Sequence, residues 1–363
     1  MKRPFSFSDP VRASRLTDAI QRLAPDRPVR IVHVCGTHEA AIAEHGLRGL
    51  LPRSVEILEG PGCPVCVTPT QDIDIAVQLA ERGTTVCTFG DMMRVPGTRR
   101  TLEQARASGG DVRTVLSAAD AVGVARTEPQ RDVVFFAVGF ETTAPMTAAV
   151  VVNNPPGNFS VVVSHKRIPP AMAALLDLPN QKIDAYLAPG HVTTVLGTRA
   201  YAELSETYKI PVVVGGFEPL DVLYALALAV RQVADGAARV ENAFPRATSE
   251  QGSPAALALL DEAFEIADGH WRGIGTIPAS AFVLRSRYAD LDARARYDIH
   301  GETGQEEIPG CRCADILTAQ AVPTDCPLFS KHCTPLTPIG PCMVGAEGAC
   351  SIWFRYGGRP DLR

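Results

Sequence analysis

The chemistry of this 363-residue chain starts with its cysteines, of which there are ten. Cys63 and Cys66 stand in "GPGCPVCVTP", residues 60–69, walled in by prolines and glycines. A C-x-x-C held this stiffly is the usual layout of a reversible dithiol, while the other common reading, half of a zinc site, lacks a local second pair. Cys35 and Cys87 complete the first group; no cysteine falls between 88 and 310, and six crowd into residues 311–350. That gap argues for two separate cysteine sites. In the second, Cys311, Cys326, Cys333 and Cys350 are spaced C-x14-C-x6-C-x16-C. Four thiolates suit either a [4Fe–4S] cluster or an all-thiolate zinc site, and spacing alone leaves both open. Cys313 and Cys342 then remain, either as buried bystanders or as a second thiol pair relaying electrons toward Cys63 and Cys66.

Cys35 follows an apolar run and precedes a helical pattern, so its sulfur is expected near a helix N-terminus, where the dipole and free N–H groups favour thiolate. His38 would face the same cleft as a ligand or proton carrier; the plain alternative is a small buried cysteine with a capping histidine. Cys87, at the end of a strand pattern, reads as a buried small residue. Glu141, Thr142 and Thr143 follow another apolar run and are expected in the Cys35 cleft. Their plain alternatives are a helix-start carboxylate and two caps.

Positioning these residues falls to a repetitive pattern of short apolar runs, "VRIVHV" (29–34), "TTVCTF" (84–89), "DVVFFAV" (132–138), "FSVVVS" (159–164), "DAYLAP" (184–189) and "PVVVGG" (211–216). Near-continuous hydrophobicity of this kind marks strands buried on both faces. Helical stretches intervene at 38–51, 70–83 and 219–236, so the fold class is α/β: two doubly wound domains with parallel sheets, the ligand lying at the carboxyl ends of the strands. The expected division is residues 1–145 with Cys35 and the Cys63/Cys66 loop, 146–275 as a second α/β domain, and 276–363 as a Pro/Gly/Cys-rich domain around a metal centre, which the resemblance given below makes an iron–sulfur cluster. "VVNNPPGN" (151–158) is the best linker-like turn, with 141–151 bridging the two α/β domains. Gly-Phe-Glu occurs at 139–141 and again at 216–218, a weak echo between them. From about residue 300 onward hydrophobic periodicity is lost, as in a segment that folds around a metal centre.

Bulk properties set limits. A net charge of −5 with no long basic run gives no electrostatic support for nucleic-acid binding. The longest apolar run, residues 222–230, is far shorter than the roughly 18–20 residues needed to span a bilayer. The first residues do not read as a signal peptide. A cytoplasmic protein is expected, where thiols stay reduced and serve metal or redox chemistry. Neither a Walker loop nor a G-x-G-x-x-G after a strand is present, so nucleotide binding has no support in the sequence.

Taken in order, "CGTHE", "GPGCPVCVTP", "GFETTAP", "SHKRIPPAM", "APGHV", "GGFEPLD" and "CTPLTPIGPCMVGAEGAC" resemble the hydrogenase maturation factor HypD family over residues 30–356. Some members have Gly-Gly where this chain has Gly36-Thr37, a change that leaves the cysteine and histidine in place. The resemblance implies that Cys63 and Cys66 are a redox dithiol and that Cys311, Cys326, Cys333 and Cys350 bind a [4Fe–4S] cluster. It further implies a small HypC-type chaperone as partner, a HypE-type cyanide donor, and iron carrying cyanide and carbonyl ligands as cargo, the Fe(CN)2CO group of [NiFe]-hydrogenase. Cys35 is the candidate thiolate for that iron. The competing function is a stand-alone iron–sulfur dithiol/disulfide oxidoreductase, which would need neither iron at Cys35 nor a chaperone.

Overall fold

A computed structural model describes residues 9–179, 181–301, 306 and 308–358. Every expected strand forms: β1 is Val29–His33, and β2, not foreseen, is Val55–Glu59. Then follow β3 (Thr85–Thr88), β4 (Val112–Thr114), β5 (Val133–Gly139), β6 (Phe159–His165), β7 (Ala185–Pro189), β8 (Val212–Gly215) and β9 (Val240–Asn242). They make two parallel sheets, ordered β2-β1-β7-β8-β9 and β4-β3-β5-β6. The apolar runs are continuous because both faces are covered. In the five-stranded sheet Ile31, Ala185, Leu187 and Val213 face one core, while Val32, Tyr186, Ala188, Val212 and Val214 face another. That second core also takes in Val134, Phe136 and Val162 of the four-stranded sheet, together with Cys313, Cys342 and Cys350 from the C-terminal tail.

Sheet membership does not follow the expected boundaries at 145/146 and 275/276. β1 pairs with β7 (Ile31 opposite Ala185), so the chain leaves the first sheet after β2, builds the whole second sheet, and returns. Residues 151–158 join the helix Ala144–Val152 to β6, within the second sheet, rather than bridging two domains. A hairpin, β10 (Phe264–Trp271) with β11 (Gly275–Leu284), crosses the 275/276 boundary and docks beside β6 through Arg167 N–H to Ser280 C=O, 2.8 Å. The expected helix at 38–51 is two, Gly36–Glu44 and Leu47–Leu50, broken at Gly46, whose φ of 61° is left-handed. Among the described residues no helix is long and apolar enough to cross a membrane.

Candidate redox and metal site

The loop after β1 carries Cys35, which caps the helix Gly36–Glu44. It lies backbone to backbone against the C-x-x-C loop: Gly36 N–H reaches Gly62 C=O at 3.4 Å, and a Cβ on Gly62 would fall inside the Cys35 main chain. Gly36 meets Glu347 in the same way. Three loops therefore converge on one crevice of about 470 Å3, whose walls include Cys35, Thr37, Thr142, Thr143, His191 and Glu347. Thr37 Oγ1 donates to Glu347 Oε1 at 3.0 Å.

The helix N-terminus does not make Cys35 a thiolate. Burial pushes its thiol up to about 12, outweighing the backbone N–H groups of His38 and Thr37 that favour the anion. A bound cation would reverse this, since coordination displaces the thiol's proton, which is released as the metal binds. His38 is not among the crevice residues. Its Nε2 reaches the carbonyls of Gly215 (3.3 Å) and Gly216 (3.0 Å), and its ring packs on Phe217 at 4.8 Å. Burial and the neighbouring His33 lower its pKa to about 3, so it is neutral, with Nε2 carrying the proton and Nδ1 unpartnered among the described residues.

Glu141 is fully buried and turned away from the crevice. Its two oxygens accept the Ile168 N–H at 3.0 and 3.2 Å, capping the helix Ile168–Leu176, and burial raises it to about 7. Thr142 and Thr143 do line the crevice. Thr143 stands at the start of the helix Ala144–Val152 without a side-chain cap bond. Gly139, at φ 152°, admits it: a Cβ there would sit 2.7 Å from Thr143 Oγ1.

Cys63 caps the short helix Pro64–Val67, and Cys66 N–H donates to Cys63 Sγ at 3.3 Å. The two sulfurs are joined as a disulfide, with Cα atoms 5.3 Å apart and both residues fully buried. The loop has two sides. Gly62 and Pro64 border the Cys35 crevice, whereas Cys66 borders a second cavity of about 610 Å3 with Cys311, Cys313, Arg272 and Pro341. Cys66 Sγ lies 3.9 Å from Pro341 C=O, next to Cys342.

All six tail cysteines gather in this region, but the centre of their contacts is Cys313. Thiols of Cys311, Cys342 and Cys350 donate to its sulfur and hold it well below the usual thiol value, while Cys342 is pushed up. Cys326 couples electrostatically to Cys311, and its Sγ lies 3.7 Å from Gly310 C=O. Cys333 couples to Cys350 and accepts Ile339 N–H at 3.3 Å. Among the described residues no three His, Cys, Asp or Glu side chains stand at ready-made metal-binding geometry. The donor set nonetheless suits a soft, thiolate-bound group. Gly340 opens the space beside it: a Cβ there would lie 2.6 and 2.7 Å from the sulfurs of Cys311 and Cys313.

Residues 11–357 match the family described as HypD, "Hydrogenase formation hypA family". The chain belongs to the HypD family. It is 43% identical over 369 residues to the hydrogenase maturation factor HypD of Azotobacter vinelandii, covering 98% of this chain and 97% of that one. Against the protein of the same name from Cupriavidus necator it is 42% identical over 375 residues, covering 100% and 99%. A hydrogenase expression/formation protein of Methanocaldococcus jannaschii is 42% identical over 356 residues, covering 97% and 99%.

Within this HypD chain three site residues escaped the reading of the sequence. Glu347 and His191 line the crevice with Cys35, and His191 stacks on Phe217 at 3.8 Å. Both lie in motifs noted above, and that was the only available signal. The third is Glu39, fully buried, whose carboxylate receives Arg48 (2.8 and 2.6 Å), His33 Nε2 (2.7 Å) and Trp353 Nε1 (2.6 Å). Burial would raise this carboxyl, but Arg48 and His33 hold it well below the usual range. Trp353 belongs to the helix Ala349–Tyr356, which also carries Cys350. Glu39 thus fastens the helix after Cys35 to the helix of the last tail cysteine. A partner 314 positions away leaves no local trace.

Proposed function

We propose that this protein matures [NiFe]-hydrogenase as a redox-active assembly scaffold. Its cargo is the iron of the Fe(CN)2CO group, held at Cys35 in the crevice; a HypC-type chaperone supplies the partner surface and a HypE-type protein donates cyanide. The observation carrying this reading is the two-sided C-x-x-C loop, which borders the Cys35 crevice through Gly62 and Pro64 and, through Cys66, a cavity also lined by the tail thiols Cys311 and Cys313. A two-electron store between an iron-binding thiol and a thiol-rich tail suits the task, because cyanide and carbon monoxide favour low-valent iron on soft donors.

Cys311, Cys326, Cys333 and Cys350 would hold a [4Fe–4S] cluster, which when bound supplies single electrons. The residues of the chain do the rest. Cys63 and Cys66 take up two electrons and two protons as their disulfide opens. Cys313 and Cys342, in contact, provide a second thiol pair on the way. Cys35 gives up its proton as iron arrives.

Co-purification under anaerobic conditions tests the function. The protein is expected to bring down a HypC-type chaperone, the complex showing cyanide and carbonyl infrared bands. A chain that shuttles disulfide electrons alone, with no chaperone and no such bands, would instead be the stand-alone oxidoreductase. The dithiol has its own measurement, differential alkylation read by mass spectrometry. Under mild oxidation Cys63 and Cys66 should lose two labelling sites together and reversibly, while the buried Cys87 stays unchanged. Independent labelling of Cys63 and Cys66 at every potential would leave only a passive iron clamp.

A further inference from the structure

Arg272, Gly273 and Ile274 turn β10 into β11, and this turn packs against both the C-x-x-C helix and the tail. Arg272 N–H donates to the C=O of Val67, one residue past Cys66, at 3.0 Å. Gly273, at a left-handed φ of 77°, meets the tail helix Cys313–Leu317: a Cβ there would lie 3.2 Å from Ala314 Cα. The preceding Trp271 anchors the turn, fully buried, with Nε1 donating to Ser280 Oγ at 2.8 Å.

The turn carries a buried cation. Arg272 is 4% exposed and borders the cavity of about 610 Å3 that Cys66 also borders. One of its five side-chain donors is in use, Nη1 to Pro96 C=O at 2.9 Å, and among the described residues it has no ion pair. The other charged groups of the cavity walls are committed elsewhere. His270 holds Glu306 at 2.9 Å, Glu306 also accepts Thr70 N–H at 3.2 Å, and Asp315 accepts Arg312 Nε at 2.7 Å. A buried charge without a counter-ion is costly, so this one calls for a reason.

The Cys63–Cys66 disulfide is neutral, but a reduced C-x-x-C with positive charge beside it keeps one sulfur as thiolate. Two groups here would meet that anion: Cys66 N–H, 3.3 Å from Cys63 Sγ, and the guanidinium in the cavity that Cys66 borders. We propose that Arg272 is the counter-ion of the reduced Cys63/Cys66 pair and thereby sets its reduction potential. This deepens the reading of the pair as a redox dithiol and rests on it. When a dithiol reduces the pair, the S–S bond breaks and two electrons enter, while the reductant closes its own disulfide and gives up two protons. One proton stays on a sulfur of the pair and the other goes to solvent, leaving one thiolate. Opening the disulfide gives the guanidinium its partner, so Arg272 favours the reduced form. The titratable groups around the pair are His270, Glu306 and Asp315, the tail thiols Cys311, Cys313 and Cys342, and, past Gly62, Cys35 and Glu347.

The test equilibrates the full-length protein, purified anaerobically, with reduced and oxidised dithiothreitol from pH 6 to pH 7.5. Acid quench, alkylation and mass spectrometry then read the reduced fraction of Cys63/Cys66. Arg272→Gln should lower the exchange constant at pH 7 by about tenfold, equivalent to about 30 mV for a two-electron couple. Arg272→Lys, which keeps the charge, should return it to within about threefold of the unaltered protein. An unchanged constant in Arg272→Gln, or an equal loss in Arg272→Lys, overturns the role, whatever happens to the visible absorbance. Should the glutamine variant not fold, the pH slope of the unaltered chain decides. Dithiothreitol is protonated in this range, so a thiolate product makes the constant rise about tenfold per pH unit, whereas two thiols leave it flat and overturn the proposal. If Cys63 and Cys66 do not open reversibly in the unaltered protein, the dithiol reading falls and Arg272 with it. Reversible opening with an unchanged constant in Arg272→Gln defeats Arg272 alone.

Discussion

Replacing Cys326 with alanine should abolish the visible iron–sulfur absorbance of the anaerobically purified protein and loosen its C-terminal tail. Cys326 is one of the four thiols assigned to the cluster, 8% exposed and coupled to Cys311. Among its described residues from Cys311 onward the tail has little regular structure, only the short helix Cys313–Leu317, three-residue turns and the final helix. Metal binding and folding are linked in such segments, so losing a ligand should cost on the order of 3 kcal/mol and lower Tm by roughly 4 °C in a chain of this length. Iron and sulfide analysis reads the first effect and calorimetry the second. Cys313→Ala is the discriminating companion, because Cys313 sits at the centre of the sulfur contacts. On the assignment above it keeps iron and sulfide and loses only the second thiol pair. Full cluster content in Cys326→Ala, or loss of the cluster in Cys313→Ala, would transfer the ligand role to Cys313.

Cys35→Ser should strip the cargo iron from the chaperone complex and with it the cyanide and carbonyl bands, while leaving the cluster absorbance in place. Serine matches the shape of cysteine, but its hydroxyl is a hard donor that stays protonated at neutral pH. Changes in outer-shell partners alone cost about 10–100-fold in metal affinity, so exchange of the ligand itself should cost at least about 100-fold. The pH dependence has a defined sign. Burial holds the Cys35 thiol at about 12, so it is protonated without metal and releases one proton on binding. Iron affinity should therefore rise about tenfold per pH unit through the neutral range. Retention of iron with both bands in Cys35→Ser would place the metal elsewhere in the complex. A flat pH profile would mean that the thiol is not a ligand.

The α/β class, the strands from β1 to β8 apart from β2 and β4, and the separation of the cysteines into two groups were legible in the sequence. They are properties of neighbours. Apolar runs of five to seven residues record burial on both faces, and the prolines of residues 60–69 record a stiff loop. What joins distant segments was not legible. Local periodicity cannot say that β1 pairs with β7 rather than closing a first domain, because strand pairing is chosen between segments about 150 positions apart. β2 was missed because its polar Glu56 and Glu59 interrupt and end the apolar run.

The same limit applies to the site. Residue type and spacing brought out Cys35, the Cys63/Cys66 pair and the tail cysteines as chemistry-bearing groups. Their environment came from packing alone. The place of Cys35 at a helix start argued for thiolate, but desolvation by three converging loops decides for the thiol. His38 was expected in the cleft and is instead tied to the end of β8, because the returning strand offers it two carbonyls. Glu39 and Trp353 meet across nearly the whole chain. Sequence determined which groups could do chemistry, since that is a property of the side chain. Tertiary structure decided which of them meet, and in which protonation state, because both depend on how completely distant segments exclude water.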